Sequence, residues 1–399
     1  MTTTLLCHRD EIPLPSEQQR TPIRPLGLLS DFVVTKLPGV KNISDLPSSN
    51  VLTDMCKKAR EALTYLPYYD IDNPPIFKLS PSAYDIDRLR KMRKIALLDS
   101  AMLEQTYVRH EGLAPLHLTN LTELCAQFGN ARRQQEDSIS YTIPALTYEG
   151  VIHSNPLRQD PRVFSDGETG RAEVLFYEVH RRIEEHLAKT LCALKYNMVS
   201  PFKKTHECIN IIKSGFRSLL LCLKEEEFGK FRGYFQNAHR RLPGPSGLFS
   251  AGMAAFDNFL AASEMGIRQL QVFKLRQKNM FPTTHAFLDS FCGQEDMMTK
   301  QDNQKGRGNP AGVEDFLLSP HYKAREQQDV AINMQEARGM HVAVAQRFLP
   351  EAFKTDNTVG TGGTSSLKLF LNIAQQSYAD LVQKIPLLAK LRPPKEYVT

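Results

Sequence analysis

Val330-Ala-Ile-Asn-Met-Gln-Glu-Ala-Arg-Gly-Met-His-Val-Ala-Val-Ala-Gln-Arg-Phe348 is the stretch on which the fold turns. Val330, Met334, Ala337, His341, Val344 and Phe348 recur at spacings of 4, 3, 4, 3 and 4, which is the period of one face of an α-helix and not that of a strand. Such a stripe faces a core, and it carries His341 inward with it. An imidazole in that place has two readings: a hydrogen-bonded core residue, or a ligand to something held in the interior.

The same period extends outward. The helix itself spans Val313 to Leu349, and Arg171 to Leu194, Cys208 to Glu226, Ala251 to Lys278 and Ser365 to Leu391 repeat the pattern. No region sustains a two-residue alternation broken by hairpin turns, so the class is all-α. Residues 1–25 are polar and proline-punctuated and read as a flexible tail. Residues 26–140 hold short helical patterns between proline turns such as Asp72-Asn-Pro-Pro75, the longest being Ile86 to Arg109, and read as a smaller N-terminal helical domain. A Pro/Gly/Asp-rich connection follows over 141–170, and 171–399 form the large helical domain. The polar, glycine-rich run from Gln294 to Gly312 reads as a surface loop.

With 399 residues, 41% hydrophobic and 24% charged, the chain is long enough for two cores and too apolar for general disorder. Fifty basic against 44 acidic residues give a net charge of +6, too diffuse to imply nucleic acid. The densest basic cluster, Arg88 to Lys94, is interrupted by apolar residues and reads as a solvated helix face. The seven cysteines are scattered, with no C-x-x-C, no C-x-x-C-H and no zinc spacing. A reducing compartment and a cytoplasmic, membrane-free location are expected: the N-terminus has no apolar signal region, and the longest apolar run, Leu219 to Leu223, is too short to cross a bilayer.

Hydrolytic chemistry finds little footing, since there is no G-x-S-x-G elbow and the paired carboxylates occur only in solvated runs such as Glu225-Glu-Glu227. His180 and His186 stand six apart, on different helix faces, which does not suit zinc. A single imidazole on an apolar face suits haem iron better, because the porphyrin supplies four nitrogens and its apolar bulk supplies most of the binding energy. Gly360-Thr-Gly-Gly-Thr-Ser-Ser366 is either a plain loop with a helix cap or a cradle for a carboxylate or propionate. The small residues at 244, 246, 247, 250, 251 and 252, between Leu242 and Asp257, admit either a flat cofactor edge or close helix packing.

Taken together and in this order, these features resemble the indoleamine 2,3-dioxygenase superfamily of haem proteins. Gly244 to Asp257 is similar to its G-G-S-A-G-Q-S-S…F-D stretch, Pro282-Thr-Thr-His-Ala-Phe-Leu288 to its P-P-x-H…F-L segment, Arg338-Gly-Met-His341 to its R-x-x-H helix, and Gly360-Thr-Gly-Gly-Thr364 to its G-T-G-G-T loop. The likeness covers roughly residues 140 to 390. It implies the superfamily's helical haem-binding fold, noncovalent haem b with His341 as the proximal iron ligand, and Asp257 with Arg338 as the pair steadying that helix. Ser246 and Gly247 would lie against the cofactor. Phe228-Gly-Lys-Phe-Arg-Gly-Tyr234 resembles the segment whose arginine grips a substrate carboxylate, which points to Arg232; Thr361 would bind the substrate's polar end or a propionate. The implied partners are tryptophan or an indole derivative and dioxygen, in a monomer or homodimer.

Two departures stand out. The distal helix of the dioxygenases carries an aromatic followed by a serine, whereas this chain has Val174-Leu-Phe-Tyr-Glu-Val-His180, with Phe176 as pocket lining and Tyr177 or His180 as polar contributors; Pro245 replaces a glycine. His341-Val-Ala-Val-Ala-Gln-Arg347 and Phe231-Arg-Gly-Tyr-Phe235 also resemble the branch whose member in pyrrolnitrin biosynthesis rearranges chlorotryptophan. The resemblance therefore implies haem-dependent oxygen activation on an indole, with oxidative rearrangement or non-catalytic haem or indole binding as alternatives.

Overall fold

The computed structural model describes residues 5–12, 14, 24–64, 83–128, 162–195, 201–234, 252 and 324–349. Among these residues the regular structure is helical, without a strand. The helices are α1 (Leu28–Thr35), α2 (Ser49–Thr64), α3 (Ala83–Glu111), α4 (Leu116–Phe128), α5 (Gly167–Lys195), α6 (Pro201–Cys222), α7 (Glu225–Arg232) and α8 (Ala324–Phe348). No helix among the described residues is long and apolar enough to cross a membrane.

The packing falls into two sets, α1 with α2, α3 and α4, and α5 with α6, α7 and α8. In the first, α3 is the buried element. Every residue from Ile95 to Val108 is buried, and a helix enclosed on all sides has no polar face to show. Among its polar side chains, Thr106 donates to the Met102 carbonyl at 2.8 Å and the Tyr107 hydroxyl to the Pro47 carbonyl at 2.6 Å. The solvated face expected at Arg88 to Lys94 is corrected at Arg93, which is buried beneath the covering elements.

In the second set α6 lies between α5 and α8. Gly215 makes the α5–α6 approach possible, because a Cβ there would come within 2.5 Å of Ile183 Cδ1. Along α6, Ile209, Ile212, Phe216 and Leu219 form the inner stripe. The helical run expected over Cys208–Glu226 is two helices: Lys224 is extended (φ −98°, ψ 144°) and α7 starts anew with Glu225, Glu226 and Glu227 in its first turn, where carboxylates oppose the positive end of the helix dipole. On α8, Val330, Met334, Ala337 and Phe348 are buried, as the 3.6 period requires. The patterns over Ala251–Lys278 and Ser365–Leu391 lie outside the described residues, Gly252 excepted.

Two tethers join distant parts of the chain. Arg162 donates to Asp99 on α3 at 2.8 and 3.3 Å, with both side chains wholly buried. The tail expected over residues 1–25 is, over residues 5–12, a packed segment. Cys7 is fully buried and its backbone N–H donates to Ser218 Oγ. Arg9 forks onto both oxygens of Glu227 at 2.6 Å, reaches Glu168 at 2.6 Å and donates to the last carbonyl of α6, Cys222. A planar guanidinium can satisfy all of these at once. Glu227 is accordingly buried and ion-paired, which corrects its reading as part of a solvated acidic run.

Candidate functional site

His341 sits on α8 with its ring stacked on Phe216 of α6, centroids 4.6 Å apart and planes 13° from parallel. Burial, and secondarily the His180 imidazole, lower its pKa to about 4, so the ring is neutral at physiological pH. His180 comes from α5 and is also lowered by burial. Its Nδ1 lies 2.7 Å from the Phe176 carbonyl one turn earlier. A carbonyl only accepts, so Nδ1 carries the proton and Nε2 carries the lone pair. Both residues are partly buried and both imidazoles are desolvated.

An aromatic cluster closes this region. Phe176 lies 4.3 Å from the His180 ring, 5.7 Å from Phe228 and 5.6 Å from Phe231; Phe228 in turn lies 5.1 Å from Phe348. Such offset and edge contacts fix rings beyond what area burial alone provides. Three helices thus meet at one wall: α5 through Phe176 and His180, α7 through Phe228 and Phe231, and α8 through Phe348.

Arg232 directly follows Phe231 and is half-buried, and burial pulls its guanidinium down to about 10. The adjoining turn is shaped by a second arginine. Arg109, from the last turn of α3, lies over the Tyr234 ring at 4.2 Å, and a Cβ on Gly233 would run into its guanidinium. Tyr234 stacks on Phe164 at 4.5 Å. Behind them Glu173 accepts from the backbone N–H of Phe164 and Ser165 and from Tyr177 Oη at 2.7 Å. Burial nevertheless raises this carboxyl to about 7. Tyr177 is therefore occupied in holding Glu173.

Of the residues singled out in the sequence, His341, Phe176 and His180 fall into one neighbourhood, and Arg232 adjoins it through Phe231. Arg338 is carried by α8 one turn before His341, with its side chain outside the described residues. Thr361, Asp257, Ser246 and Gly247 lie outside them as well. Gly252, within the small-residue segment, is buried and donates its N–H to Glu184 Oε2 at 2.8 Å; a Cβ there would meet Glu184 and Leu187. The close approach at this glycine is to α5, one turn beyond His180. Arg347 donates to the Leu220 carbonyl and pairs with Glu225 at 3.4 Å, so it ties α8 to α6 and α7. Phe216 was not legible as a partner of His341: its place on the α6 stripe could be read, but which helix covers it could not.

Among the described residues no three His, Cys, Asp or Glu side chains converge on a common point. No protein-family model matches the chain, and no curated protein matches it.

Proposed function

We propose that the protein is a haem b-dependent oxidoreductase of the indoleamine 2,3-dioxygenase type, with that superfamily's helical fold, acting on tryptophan or a related indole. The observation that carries the reading is His341: a desolvated imidazole on the inner stripe of α8, stacked on Phe216 of α6. These residues fit a haem. A proximal ligand must be unprotonated, its ring must be held in one orientation, and a porphyrin needs apolar walls. The family motifs quoted above support the same assignment for the arginine, glycine-loop and small-residue segments.

Haem, when bound, supplies the activation of dioxygen for attack on the indole ring. The chain's own residues supply position. His341 would hold the iron, Arg338 and Asp257 would steady its helix, and Ser246 and Gly247 would border the cofactor. Phe176 packs the indole from α5. Arg232 binds the substrate carboxylate as a forked donor, and its reduced hydration on burial strengthens that contact. Thr361 binds the amino-acid end. Orientation of the indole by these side chains would be the protein's main contribution to rate.

Product analysis tests this directly. Haem-loaded protein incubated with L-tryptophan, ascorbate and methylene blue in air should yield N-formylkynurenine. A different oxidised indole product would favour the rearrangement seen in the pyrrolnitrin branch. Haem-loaded protein that binds tryptophan without turnover would refute the enzymatic reading.

A further inference from the structure

The segment from Leu6 to Arg9 runs along one face of α6. Leu6 Cδ2 lies beside Gly215, 3.3 Å from where a Cβ on that glycine would stand. The Cys7 backbone N–H donates to Ser218 Oγ at 3.1 Å, and Arg9 donates to the Cys222 carbonyl at 3.2 Å. Gly215, Ser218 and Cys222 follow one another at intervals of three and four residues, so they share a helix face. That register lays Cys7 over the last turn of α6. The Cys222 thiol in turn donates to the Cys7 carbonyl at 3.9 Å, across a sequence separation of 215 residues.

Neither sulfur is needed to hold the segment in this register. Arg182 of α5 donates to the Leu6 carbonyl at 2.5 Å, and Arg9 forks onto Glu227 and reaches Glu168. The two thiols differ in access: Cys7 is fully buried, and Cys222 is half-buried at the helix end. Burial pushes the Cys7 thiol up to about 11, against the Arg182 guanidinium, which favours its thiolate. Cys7 is thereby shielded from reagents in solution but not from a sulfur already bonded to its neighbour. The proposed haem chemistry uses neither thiol.

We propose that Cys7 and Cys222 are a redox pair that closes to a disulfide on exposure to a small-molecule disulfide such as oxidised glutathione. The Cys222 thiolate attacks one sulfur of the oxidant and expels one thiolate, leaving a mixed disulfide. The Cys7 thiolate then attacks Cys222 Sγ and expels the second. The two protein thiols give up two protons and two electrons, and the sulfur–sulfur bond of the oxidant is reduced to two thiols. The new bond latches residues 5–12 covalently to the end of α6, beside the turn where Arg9 already grips Glu227 of α7. Excess thiol reverses the exchange.

Peptide mapping of the full-length protein tests the pairing. Reduced protein is equilibrated with oxidised glutathione, blocked with N-ethylmaleimide, digested and read by mass spectrometry. A peptide crosslinked between Cys7 and Cys222 is expected, with the loss of two maleimide-reactive thiols, and dithiothreitol should abolish it. Cys7→Ser should instead accumulate glutathione on Cys222, and Cys222→Ser should leave Cys7 unmodified; circular dichroism reports the folding of each variant. The same oxidation in urea gives the background pairing of the unfolded chain, which the folded protein should exceed. Glutathione persisting on Cys222 of the folded wild type, both thiols remaining free, a crosslink to another cysteine in place of Cys7, or a yield no higher than in urea would each overturn the pairing. All four results leave the haem reading standing, since the pair does not depend on it.

Discussion

Asp99→Asn removes one charge from a pair whose two side chains have no solvent exposure at all. Arg162 Nε lies 2.8 Å from Oδ1 and Nη2 lies 3.3 Å from Oδ2. The amide retains the shape but removes the negative charge that faces this buried guanidinium, which costs about 3–5 kcal/mol. The exposed pair Lys58–Asp54, with side chains 54% and 55% exposed, provides the contrast, since water screens such pairs and leaves them little net effect. Set against a total stability of about 5–15 kcal/mol, the buried change is a large fraction and the surface change a minor one. Urea unfolding followed by far-ultraviolet circular dichroism measures both, and the absence of tryptophan rules out the usual fluorescence probe. Asp99→Asn should lower the unfolding midpoint strongly and Asp54→Asn hardly at all. The double variant Asp99→Leu/Arg162→Met should recover most of the loss, because it removes both charges together. A cost for Asp99→Asn within about 1 kcal/mol of wild type would place the pair in solvent contact and refute the reasoning.

Other perturbations test other contacts. Arg9→Ala leaves the buried Glu227 carboxylate without its fork and should cost about 1–3 kcal/mol in urea unfolding, with Arg9→Lys recovering only part of it because the bidentate geometry is lost. Glu173 has its folded pKa raised to about 7 from 4.5, so its contribution is fully present below pH 4.5 and is lost as pH rises through about 7; Glu173→Gln should flatten the fall in stability across that window, and an unchanged slope would show the carboxyl to be ionised when buried. Arg232→Met should weaken L-tryptophan binding by roughly 10- to 150-fold, the equivalent of a charge-assisted hydrogen bond of about 1.5–3 kcal/mol, and should leave binding of indole itself nearly unchanged. Quenching of free tryptophan fluorescence reads this cleanly, since all indole emission comes from the ligand; equal weakening for both ligands would remove Arg232 from the carboxylate.

The helical class and the inward face of α8 could be read from periodicity, because Val330, Met334, Ala337 and Phe348 obey a rule that needs only nearest turns. His341 was legible for the same reason. The enclosure of α3 was not: a helix buried all round mixes polar residues such as Asp99 and Thr106 into its core, and their partners, Arg162 among them, come from far along the chain. Residues 5–12 were misread because a short polar segment has no periodicity, and a single arginine meeting Glu168 and Glu227 decides its place. The same limit hid the stack of Phe216 on His341 and the approach of His180. Each depends on which helix faces which, and local spacing does not encode that.

The central claim is that His341 is a haem ligand, and titration of haemin into the protein tests it most directly. The account predicts a saturable, one-to-one shift of the Soret band in the wild-type protein, and a changed spectrum with weaker retention in His341→Ala. No shift on titration, or an identical spectrum and affinity in the folded His341→Ala variant, would contradict it.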